Sequence, residues 1–170
     1  MLEIYRLGED VLREKTKDVK VFDSAFSLLI DAMFETLDDA DGVGLAAPQI
    51  GVSERFFIVD LHRGSGSRYV FVNPEIIETS LEEVPYEEGC LSVPGVYRNI
   101  MRPEKIKVQA QNVEGKRFTI EAEGLLARVI QHENDHLNGK LFVDYLPPED
   151  QEKIEKRMRK MEKKEKRKRK

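Results

Sequence analysis

The chain has 170 residues, 40% of them hydrophobic and 35% charged, enough for one domain with a sizeable core and a strongly charged surface. No apolar run approaches the ~18 residues that a membrane span needs, and a single cysteine excludes an intrachain disulfide. The net charge of −4 hides an asymmetry, because residues 149–170 hold 12 basic and 6 acidic groups and leave 16 and 26 for residues 1–148.

An acidic body thus carries a basic tail. Met1-Leu2-Glu3-Ile4-Tyr5-Arg6 has neither a hydrophobic signal core nor the acid-poor, Arg-rich character of a transit peptide. These features predict a cytoplasmic protein in which Cys90 is a free thiol, a nucleophile or a ligand.

Residues 24–40 read as a helix, with Ser24 as N-cap and Phe26, Leu29, Ile30, Met33, Phe34 and Leu37 at helical spacing. Gly42 and Gly44 end that pattern. Gly42, Gly44 and Ala47 satisfy G-x-G-x-x-A, and Asp60 follows 18 residues after Gly42, so a dinucleotide site is formally open. That fingerprint must follow a strand and open a helix, whereas this one follows a helix and soon meets Pro48. Two readings of the segment remain. It is a tight turn, or it is a backbone edge that holds a peptide, with the Gln49 amide aimed at a developing oxyanion.

β-rich runs at 55–61 and 68–72, joined by Gly64-Ser65-Gly66, predict a hairpin. Further strands are expected at 74–78, 84–92, 105–111 and 117–121, with a turn from Asn112 to Gly115. A second helix should run from Gly124 to Asn138 and stop at Gly139. After Pro147-Pro148 a third, charged helix begins, with Ile154, Met158 and Met161 as a thin docking stripe. The basic run 163–170 is either a solvated end or a phosphate-attracting patch. The predicted class is α+β: antiparallel sheets around a central helix, an N-terminal helix and a charged C-terminal helix. Residues 1–148 form the expected catalytic domain and 149–170 the basic tail.

The central helix carries His132-Glu133-Asn134-Asp135-His136, an HExxH pattern. At ~100° per residue, His136 lies about 40° round from His132 and one turn further on, so both imidazoles reach one metal ion. Glu133 falls about 60° from His136, beside the metal rather than on it, where it can take a proton from bound water. Asp135, on the other flank, is a candidate to hydrogen-bond a ligating imidazole. Leu125 and Val129 project to the metal side, Leu126, Ile130 and Leu137 to the opposite face. Arg128 interrupts the apolar lining and is expected at the mouth of a cleft.

A catalytic zinc-type site takes three protein ligands and leaves one open position. Phe142 stands where one protease class would place a third histidine. Glu149, Glu152 and Glu155 lie beyond the Pro-Pro break in a solvent-facing segment, and His62 sits among loop residues. Cys90 is better placed, in Glu88-Gly89-Cys90-Leu91-Ser92, where Tyr86, Glu88 and Cys90 share one strand face. A zincin-type peptidase and a non-catalytic metal- or ribosome-binding protein remain the competing readings.

Three segments together resemble the motifs of the peptide deformylase family: G-x-G-x-A-A-x-Q at 42–49, E-G-C-x-S at 88–92 and Q-H-E-x-x-H at 131–136. The similarity covers most of residues 1–148. It implies a metallohydrolase that removes the N-formyl group from the initiating methionine of new polypeptides and releases formate. Cys90, His132 and His136 would hold Fe²⁺, with Zn²⁺, Ni²⁺ or Co²⁺ able to substitute, and Glu133 would activate the bound water. The Leu91 N–H and Gln49 would stabilise the oxyanion, while Val43, Gly44, Tyr86, Glu88, Leu125 and Val129 would hold the substrate. The implied partners are N-formylmethionyl nascent chains and, through the basic tail, the ribosome, with no membrane and no DNA. Tyr86 and Arg128 depart from an aliphatic pocket lining and bear on substrate preference.

Overall fold

The computed structural model describes residues 1–169, so the last residue of the basic run lies outside the described residues. Three α-helices, α1 (Ser24–Asp39), α2 (Gly124–Leu137) and α3 (Pro148–Lys168), surround two antiparallel sheets. The larger sheet joins β1 (Gly44–Ala46), β2 (Phe56–Asp60), β3 (Arg68–Thr79), β6 (Lys105–Gln111) and β7 (Arg117–Glu123) in that order. The smaller pairs β4 (Glu83–Cys90) with β5 (Val93–Pro103). The α+β class follows from this arrangement. None of the described helices is long and apolar enough to cross a membrane.

β2 explains why the sheet is covered on both sides. All five of its residues are buried, and alternate side chains on a strand face opposite ways. Phe57 and Val59 pack with Phe71, Val108, Ile130 and Leu137 beneath α2. Phe56 and Ile58 pack with Phe26, Ile30, Met33 and Leu37 of α1. α2 is therefore clamped between the sheet and whatever lies on its other face. That other face looks at β4 and β5.

Several local expectations are corrected. The N-cap of α1 is Asp23, whose carboxylate accepts from the Phe26 N–H at 3.0 Å, and Ser24 is the first helical residue. The separate strands expected at 68–72 and 74–78 are one strand, β3. Asn73 adopts φ 49° within it, and its Oδ1 accepts from the Val19 N–H at 2.8 Å. Pro74 follows and cannot donate to the ladder, so the register shifts there and the strand resumes. β5 was not anticipated at all.

α3 docks through the expected stripe. Ile154 and Met158 are buried with Leu12, Val93, Val96, Ile100 and Phe142, and Met161 packs at the edge. Arg6 pairs with Glu165 on the exposed side. Replacing Ile154 with alanine should cost about 2–5 kcal/mol of stability through the lost contacts and the cavity left behind. Deleting residues 162–170 should change stability by less than about 1 kcal/mol, since residues 162–169 are all exposed and their ion pairs lie at the surface. Urea unfolding of both variants checks this, and equal midpoints would contradict the docking.

Candidate metal centre

α2 carries His132 and His136 one turn apart, with ring centroids 5.3 Å from each other. Cys90 ends β4, where the pairing with β5 slips by a register shift after Gly89. That slip brings its sulfur 3.4 Å from His136 Nε2. Donor atoms of Cys90, His132 and His136 all lie within 4.8 Å of one another. Ligands at ordinary zinc–nitrogen and zinc–sulfur distances in a tetrahedron stand about 3.5 Å apart, so the spacing fits a small divalent cation. Two nitrogens and a sulfur suit zinc or ferrous iron better than magnesium or calcium. Glu133 Oε1 is buried without a hydrogen-bond partner among the described residues; such atoms are rare, and one beside the three donors fits a site completed by a bound cation and water.

Behind the donors lies a buried charge network. Glu88, 4% exposed, accepts from His132 Nδ1 at 2.8 Å through Oε1. Arg102 forks onto both carboxylate oxygens, Nε to Oε2 at 2.6 Å and Nη2 to Oε1 at 3.0 Å. Arg128 Nη1 adds a third contact to Oε2 at 2.8 Å. With Nδ1 occupied, the Nε2 of His132 is left to ligate. Asp135 does not hold an imidazole, as its position on the helix had suggested. It accepts instead from Arg102 Nη1 at 2.8 Å and from the Tyr145 hydroxyl at 2.8 Å. Glu88 takes that role from a strand.

Around the donors, the Gln49 Oε1 accepts from the Ala46 N–H at 2.9 Å, which turns Nε2 toward Ser92 Oγ at 3.1 Å and Cys90 Sγ at 3.5 Å. The Leu91 N–H, in the turn between β4 and β5, carries no hydrogen bond among the described residues. Any side chain at Gly44 would collide with the Glu133 carboxylate. Gly42 and Gly44 lead into the edge strand β1 and not into a helix of a dinucleotide fold. A cavity of about 520 Å³ opens beside these groups, and Val43, Gly44, Tyr86, Leu125 and Val129 all line it. Arg128 lines it too, but at 5% exposure it is part of the wall and not of the mouth. Sequence reasoning missed Arg102 and Ser92. Ser92 stood within the quoted E-G-C-x-S segment, whereas Arg102 gave no signal.

Burial pushes the Glu133 pKa up to about 7, against the opposing charge of His132. Burial alone would lower the His132 pKa, but the charge of Glu133 and the hydrogen bonds with Cys90 and Glu88 outweigh it and raise it. His136 is driven well down by burial and by the His132 charge. Burial would raise Glu88, yet the bonds from His132 and Arg102 hold it at about 2. A carboxylate whose pKa falls on folding contributes stability above its unfolded value and loses it as pH drops through its folded value. The stability gap between metal-free wild type and Glu88→Gln should therefore be widest at neutral pH and shrink from about pH 5 to pH 3. Urea titrations at both pH values check this, and a constant gap would refute the charged role of Glu88.

The family model for polypeptide deformylase matches residues 1–152. A peptide deformylase of Chromobacterium violaceum is 47% identical over 160 residues, 94% of this chain and 95% of that protein. One of Clostridium botulinum is 52% identical over 141 residues, 83% of this chain and 93% of that protein. The crystal structure of a peptide deformylase from Legionella pneumophila superposes with a TM-score of 0.91 at 46% identity, covering 98% of both chains. With its fold, motif order and near full-length similarity in agreement, the chain belongs to the peptide deformylase family.

Proposed function

We propose that this chain removes the N-formyl group from the N-terminal methionine of newly made polypeptides, with Cys90, His132 and His136 as ligands of Fe²⁺ that Zn²⁺, Ni²⁺ or Co²⁺ can replace. The observation that carries this reading is the convergence of one sulfur and two imidazoles beside a buried, unpartnered carboxylate at the wall of a cavity. A divalent cation in such a place polarises a carbonyl and brings the pKa of water toward neutrality. Glu133, buried with one carboxylate oxygen unpartnered among the described residues, is placed to take a proton from the attacking water and pass it to the departing amine nitrogen. One water and one formamide bond give formate and a free amine. The Leu91 N–H and the Gln49 Nε2 donate to the oxygen on which charge develops.

Val43, Gly44, Tyr86, Glu88, Leu125 and Val129 form the substrate wall in this reading. Glu88 contributes through His132 and the two arginines, since its oxygens are already engaged. Residues 1–148 are the catalytic unit and 149–170 the basic segment, whose lysines and arginines attract ribosomal phosphates near emerging chains. The protein then works in the cytoplasm.

Formate release from formyl-Met-Ala-Ser tests the reaction, and internal peptide cleavage without formate would favour a zincin-type peptidase. Glu133→Ala should keep its metal and lose at least about 100-fold in kcat. Retained activity would remove Glu133 from the mechanism. Metal analysis of anaerobically prepared protein should return iron, and its activity should decay in air and survive under nitrogen. Equal decay would count against iron. Deleting residues 162–170 should weaken co-sedimentation with ribosomes, most at low salt. Unchanged co-sedimentation would end the ribosome proposal.

A further inference from the structure

The Gly42–Val43 peptide unit on the cavity wall is held from outside the site. A Cβ at Gly42 would meet Leu37 Cδ1 at 2.9 Å and Leu91 Cδ1 at 3.0 Å, so a larger residue would have to push both leucines aside. Glycine fits there, but it gives the peptide unit that follows little resistance to turning. His62, in the loop after β2 and outside the cavity lining, supplies the restraint. Its Nε2 lies 2.7 Å from the Gly42 carbonyl oxygen. A carbonyl only accepts, so Nε2 carries the proton and donates. The other ring nitrogen, Nδ1, stands 3.6 Å from Asp60 Oδ1 and 4.0 Å from Asp38 Oδ1, and the His62 N–H donates to Asp60 Oδ1 at 2.8 Å. Arg68 spans the two carboxylates, Nε to Asp60 Oδ2 at 2.9 Å and Nη2 to Asp38 Oδ2 at 2.8 Å. These side chains seat the ring, and none of them enters the reaction described above.

In a trans peptide unit the C=O and N–H point opposite ways. With the Gly42 oxygen turned to His62, the Val43 N–H points away from that loop, and it carries no hydrogen bond among the described residues. The Val43 carbonyl is already taken by the Asp60 N–H at 2.8 Å. Gly42, Val43 and Gly44 line the cavity, so a free backbone donor belongs to an edge that an extended peptide can pair with. We propose that His62 is a positioning residue: by holding the Gly42 carbonyl it keeps the Val43 N–H available to a backbone carbonyl of the formyl-peptide. The inference rests on the deformylase reading and deepens it. Without the imidazole the peptide unit is free to turn and withdraw that donor. Cys90, His132, His136 and Glu133 make no contact with His62 and keep their places. The loss therefore falls on substrate binding and not on the chemical step.

The test compares metal-loaded wild type, His62→Ala and His62→Gln on formyl-Met-Ala-Ser. Glutamine puts an amide nitrogen near the place of Nε2 and keeps a donor. His62→Ala should raise KM about three- to tenfold, the span of one neutral hydrogen bond, and leave kcat within about twofold. His62→Gln should return KM most of the way to wild type. A merely structural role would lower the active fraction, and with it kcat, while KM stayed put. Binding is read separately in zinc-loaded Glu133→Ala, which holds the peptide without turning it over. Adding His62→Ala to that protein should weaken Kd for formyl-Met-Ala-Ser by the same factor as KM. A wild-type KM and Kd in His62→Ala, a loss confined to kcat, or a His62→Gln enzyme no better than His62→Ala overturns the proposal. If His62→Ala fails to fold, hydrogen exchange of the Val43 amide in zinc-loaded Glu133→Ala decides: bound peptide should slow it, and an unchanged rate overturns the proposal. Wild type that releases no formate overturns the deformylase reading itself, whereas the Kd and exchange comparisons still decide on His62.

Discussion

The hydrogen bond between Glu88 and His132 is the constraint on which the rest of the centre depends. It ties a helix to a strand of a different sheet, and it does so with a carboxylate that burial alone would neutralise. Arg102 and Arg128 keep that carboxylate charged, and Asp135 and Tyr145 in turn hold Arg102. Removing one member of such a set leaves another charge buried and unpaired. The network therefore fixes where His132 points and how far β4 stands from α2. Cys90, at the end of β4, reaches the imidazoles only because that distance is fixed.

Packing supplies the other half of the geometry. α2 is pressed against the large sheet by Ala127, Ile130 and Leu137 and faces the small sheet with His132 and Arg128. The smaller sheet is backed by a separate apolar cluster that includes Leu141, Phe142, Ile154 and Met158. α3 thus supports β5 from behind, and β5 carries Arg102. The basic end of the chain is linked through two buried side chains to the orientation of His132, a proposed metal ligand.

Much of this was legible in the sequence. The HExxH spacing put the two histidines on one helix face, Gly139 marked the helix end, and a backbone edge was one of the two readings of the Gly-x-Gly segment. β5 was not legible, for two reasons. Pro94 and Gly95 read as breakers near its start. Its alternation is also blurred, since Arg102 faces in at 4% exposure beside Val96 and Ile100 while Tyr97 and Met101 face out at 59% and 53%. A hydrophobicity pattern cannot find a strand whose buried face carries a charge placed there to meet Glu88. The same cause misplaced Asp135 and Arg128. Helix geometry gives the direction of a side chain on its own element, whereas its partner on a distant strand depends on tertiary register.

Gly44 shows how backbone shape limits what the centre admits. No side chain fits between β1 and the Glu133 carboxylate, so the edge of the sheet stands directly against the proposed acid–base group. The acyl group must therefore lie beside this contact, in the cavity that both residues line, with the backbone of β1 as one wall. Formyl carries only hydrogen beyond its carbonyl, whereas an acetyl or peptidyl group brings carbon against the same wall. Discrimination by size is modest when a pocket must exclude one methylene by attraction alone. It is stronger when the wall is backbone, because a strand paired to β2 through Gly44 and Val59 cannot yield as a side chain does. Small-acyl selection would then come from the closeness of strand and helix.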